Sequence, residues 1–117
     1  MSNFTAPLTV TKIGERLWQT EREFTYYIGE ENSFEFVTVP KGFKTDFASV
    51  PRGLWNILPP DGKYTQAAVL HDYILSANIY PFKKADYVFY EAMGILGVPK
   101  WKRITMYMAI RIWHMFS

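Results

Sequence analysis

The spacing of the apolar residues changes near the middle of the chain, and this change predicts strands followed by helices. Residues 33–40, "SFEFVTVP", alternate with a two-residue period, which is typical of a β-strand with one covered face. From residue 49 onward, apolar residues recur at helical spacing instead. We therefore predict one α+β domain over residues 1–117, with a strand part at 7–45 and a helical part at 49–116.

Three runs in the first half have the composition of strands. They are "LTVTKI" (8–13), "RLWQTEREFTYYIG" (16–29) and "SFEFVTVP" (33–40). Alternation in the third run places Phe34, Phe36 and Thr38 on one face and Glu35, Val37 and Val39 on the other. The turn-forming stretch "GEEN" separates the second run from the third. These runs predict a small antiparallel three-stranded sheet with one face covered.

A short helical turn is predicted for "SVPRGLWNILPP" at the start of the second half. Ser49 is placed to cap it, Pro51 lies in its first turn, and two prolines at 59–60 stop it. Three helices follow, in "KYTQAAVLHDYILSA" (63–77), "PFKKADYVFYEAMGIL" (81–96) and "PKWKRITMYMAIRIWHMF" (99–116).

Two of these helices have a clear apolar stripe. The stripe of the second is Ala85, Phe89, Ala92, Met93 and Leu96, and Gly97 is placed to end the helix. The stripe of the third is Trp101, Ile104, Met108, Ile112 and Met115, with Lys100, Arg103, Tyr107 and Arg111 on the other side. We predict that both stripes pack on the core; for the third helix, which is basic, a membrane surface is the alternative.

Composition excludes several classes of protein. With 49% hydrophobic residues, a chain of 117 residues can form a core without metal or disulfide staples. It has no Cys, so disulfides, zinc thiolate sites and cysteine nucleophiles are excluded. A net charge of +2 predicts no nucleic-acid partner. No apolar run is long enough for a membrane span, and "MSNFTAPLTV" lacks the features of a signal peptide.

The first candidate for a functional residue is His71, which lies in an apolar helix next to Asp72. Neighbouring helical residues point about 100° apart, so these two side chains diverge. Both side chains can still reach a third group that lies between them, such as a metal, a water, a basic side chain or the loop that carries Asp46. The candidate outside partners are Asp46, Ser49, Arg52, Asp86, Arg103 and Arg111.

Each of these polar residues also has an ordinary structural explanation. A lone buried His is most often hydrogen-bonded within the core. Asp46 and Ser49 have the spacing of turn and cap residues. Asp86 is placed in the first turn of its helix, where a carboxylate offsets the helix dipole. Their concentration favours a functional site, because one His and three Asp lie in apolar settings within 41 residues.

Three chemical schemes fit this set. The first is a nucleophile Ser49 with His71 and an aspartate, although the glycine-flanked elbow of such sites is missing. The second is a divalent metal site of His71 and Asp72 with Asp46 or Asp86, a donor set that suits Zn, Mn or Fe. The third uses His71 as a general base that an aspartate orients toward water.

The candidate catalytic residues are therefore Asp46, Ser49, His71, Asp72 and Asp86, and the candidate metal ligands are His71, Asp72 and Asp46. One other histidine exists, His114, so the supply of imidazole ligands is small. No glycine loop of the kind that holds phosphate is present. The residues alone do not identify a cofactor or a substrate.

Three ordered blocks carry a resemblance to a known family. They are Thr-Asp-x-Ala-Ser-x-Pro at 45–51, Ala-Ala-x-x-His-Asp at 67–72 and Ala-Asp-x-x-Phe-x-x-Ala-Met at 85–93. Together they resemble a family of small phage and prophage proteins that is catalogued as a domain of unknown function. The resemblance implies a phage origin and implies that the family motif includes Asp46, Ser49, Pro51, His71, Asp72 and Asp86. It supplies no reaction.

The function expected from these features is that of a virion structural or accessory protein, in the tail or the adsorption apparatus. Such a protein is made in the host cytoplasm and has other phage structural proteins as partners, in an assembly that can be symmetric. An aromatic content of 18% fits an interface role. The alternatives are a small hydrolase of cell-wall material that uses the His/Asp cluster, and an inhibitor of a host protein anchored by Tyr and Trp.

Overall fold

The computed structural model describes residues 3–14, 17–30, 33–46 and 65–116 of the chain. In these residues six short strands precede three helices, so the predicted α+β order is confirmed. The strands are β1 (Asn3–Phe4), β2 (Val10–Gly14), β3 (Leu17–Thr20), β4 (Phe24–Tyr27), β5 (Phe36–Val39) and β6 (Lys44–Thr45). The helices are α1 (Thr65–Ser76), α2 (Phe82–Ile95) and α3 (Lys100–Phe116). The helical turn predicted at 49–60 lies outside the described residues.

The strands form two antiparallel sheets of three strands each, where the sequence predicted one such sheet. Their strand orders are β1-β4-β5 and β2-β3-β6. The difference arises in the run 16–29, which the sequence pattern treats as one strand. Three consecutive charged residues at 21–23 are exposed and cannot alternate between core and solvent, so the chain bends there. The bend separates β3 from β4, and the two join different sheets.

The alternation predicted for the third strand run is confirmed. Val37 and Val39 of β5 are buried, whereas Phe34 and Phe36 are exposed. The valine side therefore faces the core. Strand β4 pairs with β5, Tyr26 lying opposite Val37, and adds Tyr26 to the same buried layer. Helix α1 covers this layer and is buried on nearly every side, so most of its side chains face protein.

Helix α2 buries the stripe that the sequence predicts. Ala85, Phe89, Ala92 and Met93 are buried. The helix ends in a Schellman motif, in which the N–H groups of Gly97 and Val98 donate to the carbonyl oxygens of Gly94 and Met93 at 3.1 and 3.0 Å. Gly97 has φ +89°, a left-handed conformation that strains any residue with a side chain. The predicted end of this helix is confirmed.

Helix α3 buries a different side from the one that its sequence pattern predicts. Its stripe of Trp101, Ile104, Met108, Ile112 and Met115, called the α3 face below, is 39% to 68% exposed. The buried residues of α3 are Met106 and Ile110. The prediction that the α3 face packs on the core is therefore wrong. Among the described helices, none has both the length and the apolar character that crossing a membrane requires.

Candidate functional site

Asp86 of α2 is the centre of a buried polar cluster that joins all three helices. Its Oδ1 lies 2.7 Å from Nε2 of His71 on α1. Its Oδ2 accepts hydrogen bonds from Nδ1 of His114 at 2.8 Å and from Nη1 of Arg111 at 3.0 Å, both on α3. An ionised carboxylate only accepts hydrogen bonds, so each ring nitrogen that faces Asp86 carries a proton. One carboxylate therefore holds three helices through three donors.

Local helix geometry brings these side chains together. His71 lies on a helix that is buried on nearly every side, so its ring points into protein. Arg111 and His114 are three residues apart, which places them on the same face of α3. The sequence interpretation of Asp86 as a first-turn residue is wrong, because α2 begins at Phe82 and Asp86 is its fifth residue, fully buried. A buried carboxylate needs partners, and the neighbouring helices provide them.

Flat rings enclose the cluster. The His71 ring stacks on Phe89 with centroids 4.9 Å apart, and on the His114 ring at 5.8 Å. Phe82 stacks on the far side of His114 at 4.3 Å. Because aromatic faces cover both imidazoles, their orientation is set by packing as well as by the hydrogen bonds to Asp86.

The electrostatic balance at Asp86 favours its charged form. Burial alone raises the pKa of this carboxyl, but hydrogen bonds from His71, His114 and Arg111 outweigh burial, so its pKa lies below the ordinary 3.8. Asp86 is therefore ionised at neutral pH, beside the Arg111 guanidinium. The pair brings no net charge into the core.

This pKa predicts a loss of stability in acid. Because the native pKa of Asp86 is below that of the unfolded chain, its contribution is complete above about pH 4 and is lost as the pH falls through the native value. We expect the free energy of unfolding, measured by urea titration, to fall more steeply below about pH 4 in the wild type than in Asp86→Asn. Equal slopes for the two proteins contradict the prediction.

Asp72 takes part in a separate contact, as the divergence of neighbouring helical side chains predicts. Its Oδ2 accepts a hydrogen bond of 2.5 Å from Oγ1 of Thr45, and both residues are buried. This bond holds the end of β6 against α1. The start of the segment that carries Asp46 therefore lies against the helix that carries His71.

Of the remaining predicted site residues, the structure describes Asp46. Asp46 is exposed at the end of β6. Ser49, Pro51 and Arg52 lie outside the described residues. The structure therefore joins His71 to Asp86 and places Asp72 at a second contact.

In the part of the chain that the structure describes, the ligating atoms of His71, Asp86 and His114 lie within 4.8 Å of one another. This group differs from the predicted metal set of His71, Asp72 and Asp46. Two imidazoles and a carboxylate can bind Zn, Mn or Fe. However, both oxygens of Asp86 already accept hydrogen bonds, and Arg111 supplies the positive charge that a cation would bring. Among the described residues, no buried side-chain nitrogen or oxygen lacks a partner. The arrangement fits a completed hydrogen-bond network better than a metal centre.

His114 is the member of the cluster that the sequence analysis did not select, whereas Arg111 was among the candidate partners. The available signal was their spacing of three residues on the side of α3 away from its apolar stripe. Two donors on one helix face indicate a shared acceptor. Two basic groups at this spacing are also typical of a helix face in solvent, and this ordinary explanation hides the signal.

Comparison with known proteins gives a family and one distant relative. A family model described as "Protein of unknown function (DUF1353)" matches residues 18–110. A Sinorhizobium fredii (strain NBRC 101917 / NGR234) protein described as "Uncharacterized protein y4jT" is 38% identical over 74 residues, which is 62% of this chain and 22% of that protein. The match thus spans about a fifth of the relative's length. No solved structure matches the chain.

Proposed function

The chain belongs to the family described as Protein of unknown function (DUF1353), and we propose that within this family it is a virion-associated structural or accessory protein of a phage. Its place is the tail or the adsorption apparatus, where it docks on other structural proteins. The phage setting comes from the resemblance of the three sequence blocks. The docking role comes from one observation, the exposed α3 face.

The α3 face has the composition of a protein interface. Aromatic residues and Met are enriched at interfaces, and this face combines Trp101 and two methionines with two isoleucines. Trp113 and Phe116, at the end of the helix, add further exposed apolar area at 50% and 84% exposure. Exposed apolar residues that form one stripe along a helix mark a site of interaction.

The opposite side of α3 is fixed to the rest of the protein. Arg111 and His114 bind Asp86, and Nε of Arg103 donates to the carbonyl oxygen of Val98 at 3.1 Å. The rings of Tyr107 and Tyr90 pack with centroids 5.4 Å apart. Because these contacts hold the helix in place, a partner does not have to order it on binding, which favours affinity.

The environment of His71 supports assembly over hydrolysis. A general base must reach its substrate or a water molecule. The His71 ring is fully buried, and its Nε2 lies at hydrogen-bonding distance from Asp86. A satisfied polar network of this kind specifies one packing of the core. In the proposed role, the network holds the helix that presents the α3 face.

The proposal predicts that the protein is present in purified particles and that the α3 face is needed for incorporation. Met108→Glu, made in the gene of the phage, is expected to lower the amount per particle at least about tenfold, since burying a carboxylate costs more than about 1.4 kcal/mol. Mass spectrometry of purified particles measures this amount.

Ala77→Glu is the matched control, because Ala77 is an exposed apolar residue just beyond α1. This variant is expected to be incorporated at the wild-type level. Absence of the wild-type protein from particles, or incorporation of Met108→Glu at the wild-type level, overturns the proposal.

A further inference from the structure

We propose that the α3 face binds the α3 face of a second copy of this chain, with the two helices antiparallel about a two-fold axis beside Met108. The inference rests on the proposed function, in which the α3 face docks on a structural protein of the particle, and it names that protein as a second copy of this chain in a symmetric assembly. Three features of the surface support it: the order of its residues, their helical period and the position of its charges.

The spacing of the α3 face is the same in both directions from Met108. Ile104 and Ile112 are each four residues away, and Trp101 and Met115 are each seven. A two-fold axis requires a surface that is complementary to itself. An axis at Met108 places Trp101 against the partner's Met115, where sulfur and ring contact favourably, and Ile104 against the partner's Ile112. Met108 meets the partner's Met108.

The period of the α3 face is that of a helix–helix seam. From Trp101 to Met115 the residues advance 14 positions in four steps, an average of 3.5 residues per step, which is also the average spacing of the apolar residues in a coiled coil. At 100° per residue, the five positions fall within an arc of about 80°. Such a narrow, straight stripe fits another helix. A helix that lies on a membrane keeps its basic residues in water, whereas Arg111 of α3 is bound to Asp86 of α2.

The charges of α3 favour the antiparallel orientation. The helix has basic residues and no Asp or Glu. Arg103 and Arg111 bond inward, to Val98 and Asp86, so Lys100 and Lys102 are the cations near the first turn. Parallel helices would bring these lysines together. Antiparallel helices separate each lysine from its counterpart by about 18 to 24 Å and place each pair near the partner's helix C-terminus, where the dipole is negative.

The size of the surface predicts a reversible dimer. A helix of 17 residues offers a footprint of about 25 by 10 Å, which is smaller than the standard interface of a permanent complex. We therefore expect sedimentation velocity to show a monomer at low concentration and a dimer at high concentration. Met108→Glu is expected to remain monomeric throughout, and Ala77→Glu to dimerise like the wild type.

Single cysteines test the orientation and the axis, because the chain has none of its own. A disulfide requires Cα atoms within about 7 Å. Met108→Cys lies at the proposed axis and is expected to form a disulfide dimer with itself under mild oxidation. Ile104→Cys lies about 12 Å along the axis from its own counterpart, so it stays monomeric alone and links when mixed with Ile112→Cys.

Three results overturn the inference. One is a wild type that stays monomeric at high concentration. Another is an Ile104→Cys chain that links to itself as well as Met108→Cys does, which indicates parallel helices. The third is a monomer that sediments with anionic phospholipid vesicles through the α3 face. A monomeric protein that still needs the α3 face for incorporation disproves the dimer alone. A dimer that is absent from particles disproves the virion role alone.

Discussion

Replacing Asp86 with Asn is expected to lower the free energy of unfolding by about 3 kcal/mol, because removing one partner of a buried ion pair leaves the other uncompensated. The change keeps the size of the side chain, so no cavity contributes. The amide presents two hydrogens where Asp86 accepts from His71, His114 and Arg111, so at least one donor loses its acceptor. In a domain of this size the melting temperature should fall by about 10 °C. Urea and thermal unfolding followed by circular dichroism measure both quantities.

Glu23→Gln is the matched control, since it makes the same acid-to-amide change at an exposed position between β3 and β4. It should change stability by less than about 0.5 kcal/mol. The test also separates two interpretations of the cluster. Residues that serve catalysis are often replaced without loss of stability or with a gain. An Asp86→Asn protein as stable as the wild type would therefore contradict the structural role proposed for the cluster.

Ile110→Ala and Ile112→Ala are expected to differ by about 3 kcal/mol in their effect on stability, although they are the same change two residues apart on α3. Ile110 is fully buried, and its truncation leaves a cavity that costs about 3 kcal/mol. Ile112 is 55% exposed, and its truncation should cost less than about 0.5 kcal/mol. Urea denaturation at low protein concentration, where the monomer predominates, measures the two values.

The pair of variants tests the orientation of α3 directly, because each is the control for the other. If the α3 face were packed on the core, Ile112→Ala would be the damaging change. A larger loss for Ile112→Ala than for Ile110→Ala in the monomer contradicts the fold described above, and the proposals that rest on the α3 face fail with it.

The features that the sequence predicts correctly are those that depend on neighbours along the chain. The stripe of α2 is an example, since helical spacing alone places Ala85, Phe89 and Met93 on one side. Its end at Gly97 follows from the conformational freedom of glycine. The alternation of β5 follows from the two-residue period of a strand. The division into two sheets was not predicted, because pairing depends on strands that are distant in sequence.

The sequence identified residues of the candidate site, but not the hydrogen-bond partner that each of them takes. His71, Asp72 and Asp86 were selected because polar groups in apolar surroundings require partners. Which partner each one takes depends on how the helices pack. His71 pairs with Asp86 on the next helix, whereas Asp72 pairs with Thr45 on β6. Asp86 also had a local explanation in the helix dipole, which concealed its central role.

Helix α3 shows most clearly what the sequence determined and what only the tertiary structure decided. The sequence determined that the helix has an apolar stripe and, on another side, a set of donors that includes Arg111 and His114. The pattern of residues alone could not show which of these sides packs on the rest of the protein. The tertiary structure decided this, because α2 presents the buried carboxylate of Asp86 where α3 packs. Leaving that buried charge unpaired would cost about 3–5 kcal/mol. The donors therefore face inward together with Met106 and Ile110, which supply the apolar contact on the buried side, and the α3 face remains on the surface.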